Sequence, residues 1–192
     1  MPGDLLSYLN QFAQVSPEIF AELIAVSEHV RFEKKSRMSE LGIPENRLFY
    51  ILSGMARKYF VQGKREYITH IVKEGGIIVS AASFFSGQPS KYIIEAMEPV
   101  TAISISKEKL EALLGSNKKW ERIGRIIVTH YLLVQERRVL DNLKYSTKER
   151  FKKFMHENPD LLLRVPQKYL ASYLNIKPET FSRLKHLMIK EK

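Results

Sequence analysis

Apolar residues follow two different spacings along the chain, and each spacing predicts a different kind of element. Before residue 30, Leu5, Leu9 and Phe12 recur at helical intervals, and Ser16-Pro17 is a typical helix start. Short strand-like runs separated by turns follow, over residues 48–52, 56–61, 66–72, 92–97 and 100–105. Short strands at such regular spacing predict a β-barrel or jelly roll.

Helical spacing returns after the strands and predicts a long helix. A short helix begins at Lys107, and residues 117–143 contain no proline and one glycine. Within this helix one set of side chains recurs at steps of three and four: Trp120, Ile123, Ile127, Tyr131, Val134 and Arg138. We predict that this seam meets the same helix of a second chain and forms a homodimer. The alternative is a single core helix within a monomer.

Residues 164–185 have the pattern of two short helices joined by a tight turn. Pro166 and Pro178 suit the first turn of a helix, and Asn175 tolerates the left-handed conformation that ends one. The predicted inward side chains are Leu170, Ala171, Leu174, Ile176, Phe181 and Leu184. This pattern is typical of a helix-turn-helix, whose second helix enters the major groove of DNA. The alternative is an ordinary antiparallel helix pair.

Together these patterns predict an α+β protein with three parts. Residues 1–116 form a first domain, in which two helices precede a double-stranded β-helix of the jelly-roll or cupin-like kind, a β-roll. Residues 117–145 form the long dimerisation helix and hinge, and residues 146–192 form the helix-turn-helix domain, which begins at a cap of Ser146 or Thr147. Because few residues follow Lys185, we expect a DNA-binding domain that lacks a full wing.

The positive charge of the chain is confined to its second half. The formal net charge is +10. Residues 1–116 hold 13 Lys and Arg against 13 Asp and Glu, whereas residues 117–192 hold 18 against 8. A neutral half joined to a basic half indicates a polyanion as the partner of the basic half. The charge therefore favours double-stranded DNA as a partner over the ordinary helix pair.

Several classes of protein are disfavoured by residues that the sequence lacks. The absence of cysteine excludes disulfides, thiol catalysis and cysteine-ligated iron–sulfur clusters, and it fits a cytoplasmic protein. No apolar run reaches about 18 residues, so no membrane partner is expected. We predict neither a metal site nor an enzyme, because the histidines are scattered without ligand spacing: His29, His70, His130, His156 and His186.

The order of the predicted parts, together with several motifs, resembles the Crp/Fnr superfamily of bacterial transcription regulators. The motifs are Phe49-Tyr50-Ile51-Leu52-Ser53-Gly54 with Arg57, Glu74-Gly75-Gly76, Glu136-Arg137-Arg138-Val139-Leu140, and the helix-turn-helix residues 164–174 and 178–183. The chain looks most like the short members of Bacteroidetes-type bacteria. The resemblance implies that residues 1–116 are a cyclic-nucleotide-binding-like sensor domain with a small-molecule effector in the β-roll. It also implies sequence-specific DNA binding by a homodimer, and RNA polymerase as a further partner.

The resemblance also implies a cyclic-nucleotide-like pocket, but this chain departs from the pattern that binds the nucleotide. Val79-Ser80 stands where the family has Gly-Glu, and Ser90-Lys91 stands where it has Arg-Ser. An ammonium is a poor replacement for the planar guanidinium that pairs with a phosphate. We therefore expect no cofactor and no cyclic AMP (cAMP); the pocket is empty or takes an unknown apolar or uncharged effector. Its predicted lining is Val79, Ser80, Ser83, Phe84, Ser90, Lys91, Tyr92 and Tyr131.

The exposed face of the second helix supplies the predicted DNA contacts. Each subunit of the dimer places the helix that begins at Pro178 in successive major grooves, about 34 Å apart. Glu179 can accept a hydrogen bond from a cytosine amino group, and Arg183 can donate to guanine O6 and N7. Bases or phosphates are within reach of Thr180 and Ser182, and the DNA backbone is contacted by Gln167, Lys168, Lys177, Lys185 and His186.

Two other functions remain open on the sequence. In the first, the β-roll binds an uncharged ligand and the C-terminal helices bind a protein partner. In the second, the basic half binds nucleic acid without sequence preference. Glu179 and Arg183 lie one turn apart on the same exposed face, which favours a specific regulator over both.

Overall fold

The structure is a computed structural model that describes residues 4–190, with side chains described as far as Leu187. By its internal contacts the chain divides into two compact units. The first holds residues 4–60 and 69–129, and the second holds residues 61–68 and 130–190. This division falls inside the long helix and assigns a short hairpin segment to the second unit. The three-part division from the sequence stays a prediction.

The first unit contains two N-terminal helices, two sheets and the start of the long helix. The helices are α1 (Leu5–Asn10) and α2 (Pro17–Val26). The β-roll, residues 28–106, consists of β1 (Glu28–Phe32), β2 (Arg37–Ser39), β3 (Arg47–Ser53), β4 (Met55–Gln62), β5 (Arg65–Lys73), β6 (Ile77–Ile78), α3 (Ala81–Ser86), β7 (Ile93–Ala96) and β8 (Val100–Ser106). The helices α4 (Lys107–Ser116) and α5 (Lys118–Lys144) follow it. The strands confirm the predicted runs, and the short turn between β4 and β5 contains Gly63.

The strands of the roll form two four-stranded sheets whose order differs from the order in the chain. One sheet has the order β1-β8-β3-β6, and the other has the order β2-β7-β4-β5. Strand β8 pairs antiparallel with both β1 and β3, so that Ala102 lies opposite Val30 on one side and Ile51 on the other. The predicted mixture of helix and sheet is confirmed. The double-stranded β-helix and the lack of a wing stay predictions.

Two apolar clusters stabilise the first unit. The cluster between the sheets takes side chains from both: Met38, Phe49, Ile51, Ala56, Ile78, Ile94, Ala96, Val100 and Ala102. The second cluster joins the outer face of β3 and β8 to the surrounding helices, through Tyr50, Ile103, Ile105, Leu5, Leu9, Val15, Ile19, Leu23, Leu113, Trp120 and Ile123. Alternation along β3 explains this division, because Phe49 and Ile51 face one way and Tyr50 faces the other.

A glycine is required where β3 turns into β4. Gly54 has a φ of 85°, in the left-handed region that L side chains rarely adopt. A Cβ at this position would lie 2.1 Å from the carbonyl oxygen of Pro99. The Ser53-Gly54 pair therefore ends the strand for two reasons, one conformational and one steric.

The second unit is helical except for its hairpin segment. Beyond residue 129, α5 continues to Lys144 and is followed by α6 (Thr147–Glu157), α7 (Leu161–Arg164), α8 (Gln167–Tyr173) and α9 (Pro178–Lys190). The buried apolar side chains of these helices are Phe151, Phe154, Leu161, Val165, Leu170, Ala171, Ile176, Phe181 and Leu184, and Ile68 of the hairpin segment is also buried. The short helix α7 has no counterpart in the sequence prediction. Within residues 4–190, no helix combines the length and the apolar character that crossing a membrane requires.

The hairpin segment of the second unit, residues 61–68, is joined to α8 by one serine. The hydroxyl of Ser172 donates to the carbonyl of Glu66 at 2.9 Å and accepts from the amide of Ile68 at 3.0 Å. Strand β5 is at the end of its sheet, so these backbone groups point away from β4. One side chain thus satisfies two backbone groups of an edge strand.

Candidate functional site

Helices α8 and α9 are joined by a connection that matches the predicted turn. Asn175 has a φ of 54°, the left-handed conformation that ends a helix. The next residue, Ile176, is buried, and its amide donates to the carbonyl of Ala171 at 3.0 Å. Ala171 is fully buried, and its small side chain lets the second helix approach closely. The turn therefore fixes the position of α9 relative to α8.

The inner face of α9 is anchored by aromatic packing. Phe181 is fully buried, and its ring lies 5.1 Å from the ring of Phe151 in an edge-to-face arrangement. Leu184 is also buried, one turn further along. Because Phe181 and Leu184 fix the rotation of α9 about its axis, they also determine which residues face solvent.

The outer face of α9 presents the residues predicted to read bases. Glu179, Arg183 and His186 are exposed and recur at steps of four and three, so they form one stripe along the helix. Side chains four residues apart on a helix have Cβ atoms about 5–6 Å from each other. Half-buried residues border this stripe, namely Thr180, Ser182 and Lys185. The structure thus brings the predicted set together on one surface.

The remaining predicted DNA contacts lie at the first turns of the two helices. Gln167 and Lys168 are exposed at the start of α8, and Lys177 is exposed just before α9. The ammonium of Lys168 lies 4.9 Å from the centre of the Tyr169 ring, which limits where its charge can go. Exposure makes these residues available to a phosphate backbone, and the contacts themselves stay predictions.

Charged side chains brace the segment between α5 and α6. Ser146 caps α6, and Glu149 accepts in return from the amide of Ser146 at 2.8 Å, which completes a capping box. The hydrogen bond from the Ser146 hydroxyl lowers the pKa of Glu149. Lys153 of α6 donates to Asp141 of α5 at 2.6 Å, and this bond raises the pKa of Lys153. Of the two predicted caps, Ser146 is the one that begins α6.

The predicted dimer seam on α5 is corrected at its first two positions. Trp120 and Ile123 are only 2% and 4% exposed, because they lie in the cluster that joins α5 to α1, α2 and the sheet. The indole N–H of Trp120 donates to Glu22 at 2.6 Å. Ile127 packs partly against the same cluster. Trp120 and Ile123 therefore serve the core of their own subunit and are not available to a second chain.

Further along α5, Tyr131 and Val134 are exposed, whereas the guanidinium of Arg138 lies 4.6 Å from the Tyr173 ring. A second apolar stripe consists of Val128, Leu132, Val139 and Leu143, which are 49%, 63%, 60% and 81% exposed. At about 100° per residue, this stripe is centred about 130° around the helix from the predicted seam. The most exposed apolar side chains of α5 therefore include a stripe that lies outside the predicted seam, in addition to Tyr131 and Val134 of the seam itself.

Five of the predicted effector-pocket residues are buried together in the roll: Val79, Ser80, Ser83, Phe84 and Ser90. The hydroxyl of Ser90 donates to that of Ser80 at 2.9 Å, which joins the two positions where the family resemblance places nucleotide-binding residues. Tyr92 is half-buried and Lys91 is exposed. Tyr131 belongs to the second unit, so its place in the pocket stays a prediction.

A buried cation of the roll was missed by the sequence prediction. Lys58 on β4 is 5% exposed, and its ammonium donates to the carbonyl of Val79 at 3.1 Å. It also lies 5.3 Å from the centre of the Tyr92 ring. The sequence pattern indicated Lys91 as the cation nearest the predicted pocket, whereas the cation found inside the β-roll is Lys58. Alternation along β4 is the available signal, because Lys58 shares a face with Ala56 of the core.

A buried carboxylate supports the same region from the β2–β3 loop. Glu45 accepts from the hydroxyl of Ser39 and from the amide of Arg47, and its own amide donates to the hydroxyl of Ser83 at 2.8 Å. Burial raises the pKa of Glu45, although hydrogen bonds from Ser39 and from nearby backbone amides oppose the shift. Among the described residues, no cluster of three or more His, Asp or Glu is arranged to hold a metal ion.

Comparison with known proteins gives one family match and many similar structures. Residues 29–117 match the family model described as the cyclic nucleotide-binding domain. No curated protein matches the chain. The similar structures include FixK2 from Bradyrhizobium japonicum, at a TM-score of 0.75 and 18% identity, with 86% of each chain covered.

Two further structures cover most of the chain. The global regulator CLP of Xanthomonas campestris, described as responsive to c-di-GMP, has a TM-score of 0.70 and 18% identity over 92% of this chain and 93% of its own. The catabolite activator protein of Thermus thermophilus has a TM-score of 0.60 and 16% identity over 96% of this chain and 87% of its own. At such identities the likeness is one of fold.

Proposed function

We propose that the protein is a transcription regulator of the Crp/Fnr kind that binds specific DNA sequences as a homodimer. The match of residues 29–117 to the cyclic nucleotide-binding domain and the similarity of the fold to those of FixK2, CLP and the catabolite activator protein support this proposal. The main support for this proposal is the exposed pair of Glu179 and Arg183 on α9, a helix whose rotation is fixed by the buried side chains of Phe181 and Leu184. The pair lies in the half of the chain that holds all of the net positive charge.

The test separates sequence reading from charge attraction. Selection from a pool of random duplexes, followed by fluorescence anisotropy across a salt series, should give a two-fold symmetric site. Arg183→Ala should then lower the preference for that site by about 5- to 150-fold, because a bidentate pair contributes about 1–3 kcal/mol of discrimination. The slope of the logarithm of affinity against the logarithm of salt concentration should change by no more than the contribution of about one phosphate contact.

Arg31→Ala is the matched control, because Arg31 is an exposed arginine on β1, in the first unit, whereas Arg183 lies in the second unit. It should change neither the preference nor the salt slope. A preference that survives Arg183→Ala would contradict the assignment of Arg183. Binding without any enriched site would instead support a sequence-neutral nucleic-acid binder, and no binding at low salt would favour a protein partner for these helices.

The second part of the proposal is that two chains meet along the exposed stripe of α5, at Val128, Leu132, Val139 and Leu143. These side chains have a spacing of four, seven and four, which keeps them on one face of the helix. Burial of a leucine side chain contributes about 1.5–3 kcal/mol, and a symmetric interface buries each residue twice. A charge in this stripe should therefore dissociate the dimer.

Sedimentation velocity at micromolar concentration tests this interface. The protein should sediment as a dimer, and Leu132→Glu should sediment as a monomer. The control is Leu163→Glu, because Leu163 is 91% exposed but lies outside α5, in α7. A dimer that persists in Leu132→Glu, or that is lost in Leu163→Glu, would contradict the interface. RNA polymerase as a partner stays a prediction from the family resemblance.

The effector proposal follows from the cassette, which we define as residues 79–92. We expect no binding of cAMP, since Ser80 and Ser90 stand where the resemblance places the acid and the arginine. Their hydroxyls bond to each other, and the Ser90 hydroxyl also accepts from the amide of Tyr92 at 3.1 Å. Isothermal titration with cAMP should give no heat of binding at concentrations that saturate a cAMP-dependent regulator.

A further inference from the structure

The interior of the roll contains a lysine that faces the core between the two sheets. Lys58 lies directly opposite Ile94 in the pairing of β4 with β7, and Ile94 belongs to the buried cluster between the sheets. Opposite residues of an antiparallel pair share a face. An ammonium in such surroundings is costly unless acceptors compensate for the water it loses. Its contacts should therefore indicate its role.

Those contacts join the two ends of the cassette. At the entry, the Lys58 ammonium donates to the carbonyl of Val79, the residue before the N-cap of α3. At the exit, it lies against the ring of Tyr92. The Ser90–Ser80 hydrogen bond crosses the same gap. Lys58 thus bridges the positions between which, by the family resemblance, a nucleotide would lie.

Other hydrogen bonds hold the same segment from outside. The amide of Gly42 donates to the carbonyl of Ser90 at 2.8 Å, and the amide of Ser90 donates to the carbonyl of Ile43 at 3.0 Å. The hydroxyl of Ser83 donates to the carbonyl of Gln88. In the part of the chain that the structure describes, every buried side-chain nitrogen and oxygen has a hydrogen-bond partner. The cassette is therefore ordered by groups of the protein itself.

We propose that Lys58 is a built-in replacement for an effector: it orders the cassette from within, so that the roll has its ordered conformation without a small-molecule ligand. One consequence is that DNA binding needs no cyclic nucleotide, and this consequence rests on the proposed function. The ordering of the cassette is independent of that function. The two statements are therefore tested by separate measurements.

Hydrogen exchange followed by mass spectrometry tests the ordering in the ligand-free full chain. Residues 79–92 should be protected in the unmodified protein. Lys58→Met keeps an unbranched side chain of nearly the same length but removes its charge and its hydrogen-bond donor, and it should speed exchange in this segment by about tenfold, with residues 151–184 unchanged. The control is Lys91→Met, which removes an exposed charge from the same segment. Unchanged exchange in Lys58→Met would overturn the proposal.

Chemical rescue covers the case in which Lys58→Met loses its fold. Lys58→Ala removes a propyl chain and its ammonium, which propylammonium chloride supplies as a free molecule. Millimolar propylammonium should restore protection of residues 79–92, whereas propanol and potassium chloride should not. Equal rescue by propanol would show that Lys58 acts as an apolar filler, and rescue by potassium chloride would show a general salt effect; either result would overturn the proposal.

DNA affinity tests the functional consequence. On the selected duplex, the Kd should change by less than about twofold on addition of 1 mM cAMP, cyclic GMP or c-di-GMP, on a scale where tenfold is about 1.4 kcal/mol. A tenfold or greater change in this Kd with any of the three nucleotides would overturn the proposal that Lys58 replaces an effector. If the unmodified protein binds no DNA, the proposed function fails, while the exchange measurement still decides the role of Lys58.

Discussion

Replacement of Ser172 by alanine should free the hairpin segment from α8. The Ser172 hydroxyl makes two part-buried hydrogen bonds to the backbone of β5, at 2.9 Å to Glu66 and 3.0 Å from Ile68. A typical hydrogen bond contributes about 1 kcal/mol net, so removal of both would cost about 2 kcal/mol. Because neither bond is fully buried, water recovers part of this loss. We expect the local opening free energy to fall by about 1–2 kcal/mol.

The assay follows the amide of Ile68, which is itself the donor of one of these hydrogen bonds. Native-state hydrogen exchange measured by NMR reports the opening free energy at a single amide. A loss of about 1–2 kcal/mol corresponds to about 5- to 30-fold faster exchange. Amides in the core of the first unit, such as that of Ile51, which bonds to the carbonyl of Gly76, should keep their rates.

Ser172→Thr is the matched control, because it keeps the hydroxyl and should keep most of the protection of Ile68. The reasoning would be refuted if Ile68 exchanged at the same rate in Ser172→Ala as in the unmodified protein. It would also be refuted if Ser172→Thr exchanged as fast as Ser172→Ala, since steric change rather than loss of hydrogen bonds would then explain the effect.

Two further predictions concern the stability of the roll. Gly54→Ala should destabilise the protein by about 2–4 kcal/mol, because its Cβ would meet the carbonyl of Pro99, whereas Gly42→Ala should cost only about 1 kcal/mol. Gly42 has a similar φ of 80° but open space around it, so equal losses of Tm would refute the steric argument. For Glu45, burial raises the folded pKa, so the folded state holds its proton more tightly than the unfolded state. The stability of the unmodified protein should therefore fall relative to Glu45→Gln as the pH rises through the folded pKa, as measured by urea unfolding from pH 4.5 to pH 7.

The helix-turn-helix could be predicted in detail because its determinants are local. Pro178 begins α9, Asn175 supplies the left-handed turn, and Ile176 and Phe181 are buried as the apolar pattern indicated. Each of these preferences belongs to a residue and its immediate neighbours, so the sequence carries it directly. The short helix α7 was not predicted, since a run of three leucines has no period that distinguishes a helix.

The interior of the roll and the apolar stripe of α5 depend on contacts between distant residues. Basic residues occupy both faces of β4, at Arg57 and Lys58, and both are buried, so alternation assigns each to a face but does not identify its partners. The fold brings the carbonyl of Val79 within hydrogen-bond distance of the Lys58 ammonium, and the sequence pattern does not indicate this acceptor.

The sequence by itself determined the order and type of the elements, the basic character of the second half and the residues that α9 exposes, because propensity, charge and period act over a few residues. It also determined that α5 is a long helix with apolar residues on more than one face. Only the tertiary structure decided that Trp120 and Ile123 are buried in their own subunit and that Val128, Leu132, Val139 and Leu143 are exposed. The physical reason is that a helix repeats every 3.6 residues whichever partner it packs against, so its period identifies apolar faces but not their neighbours.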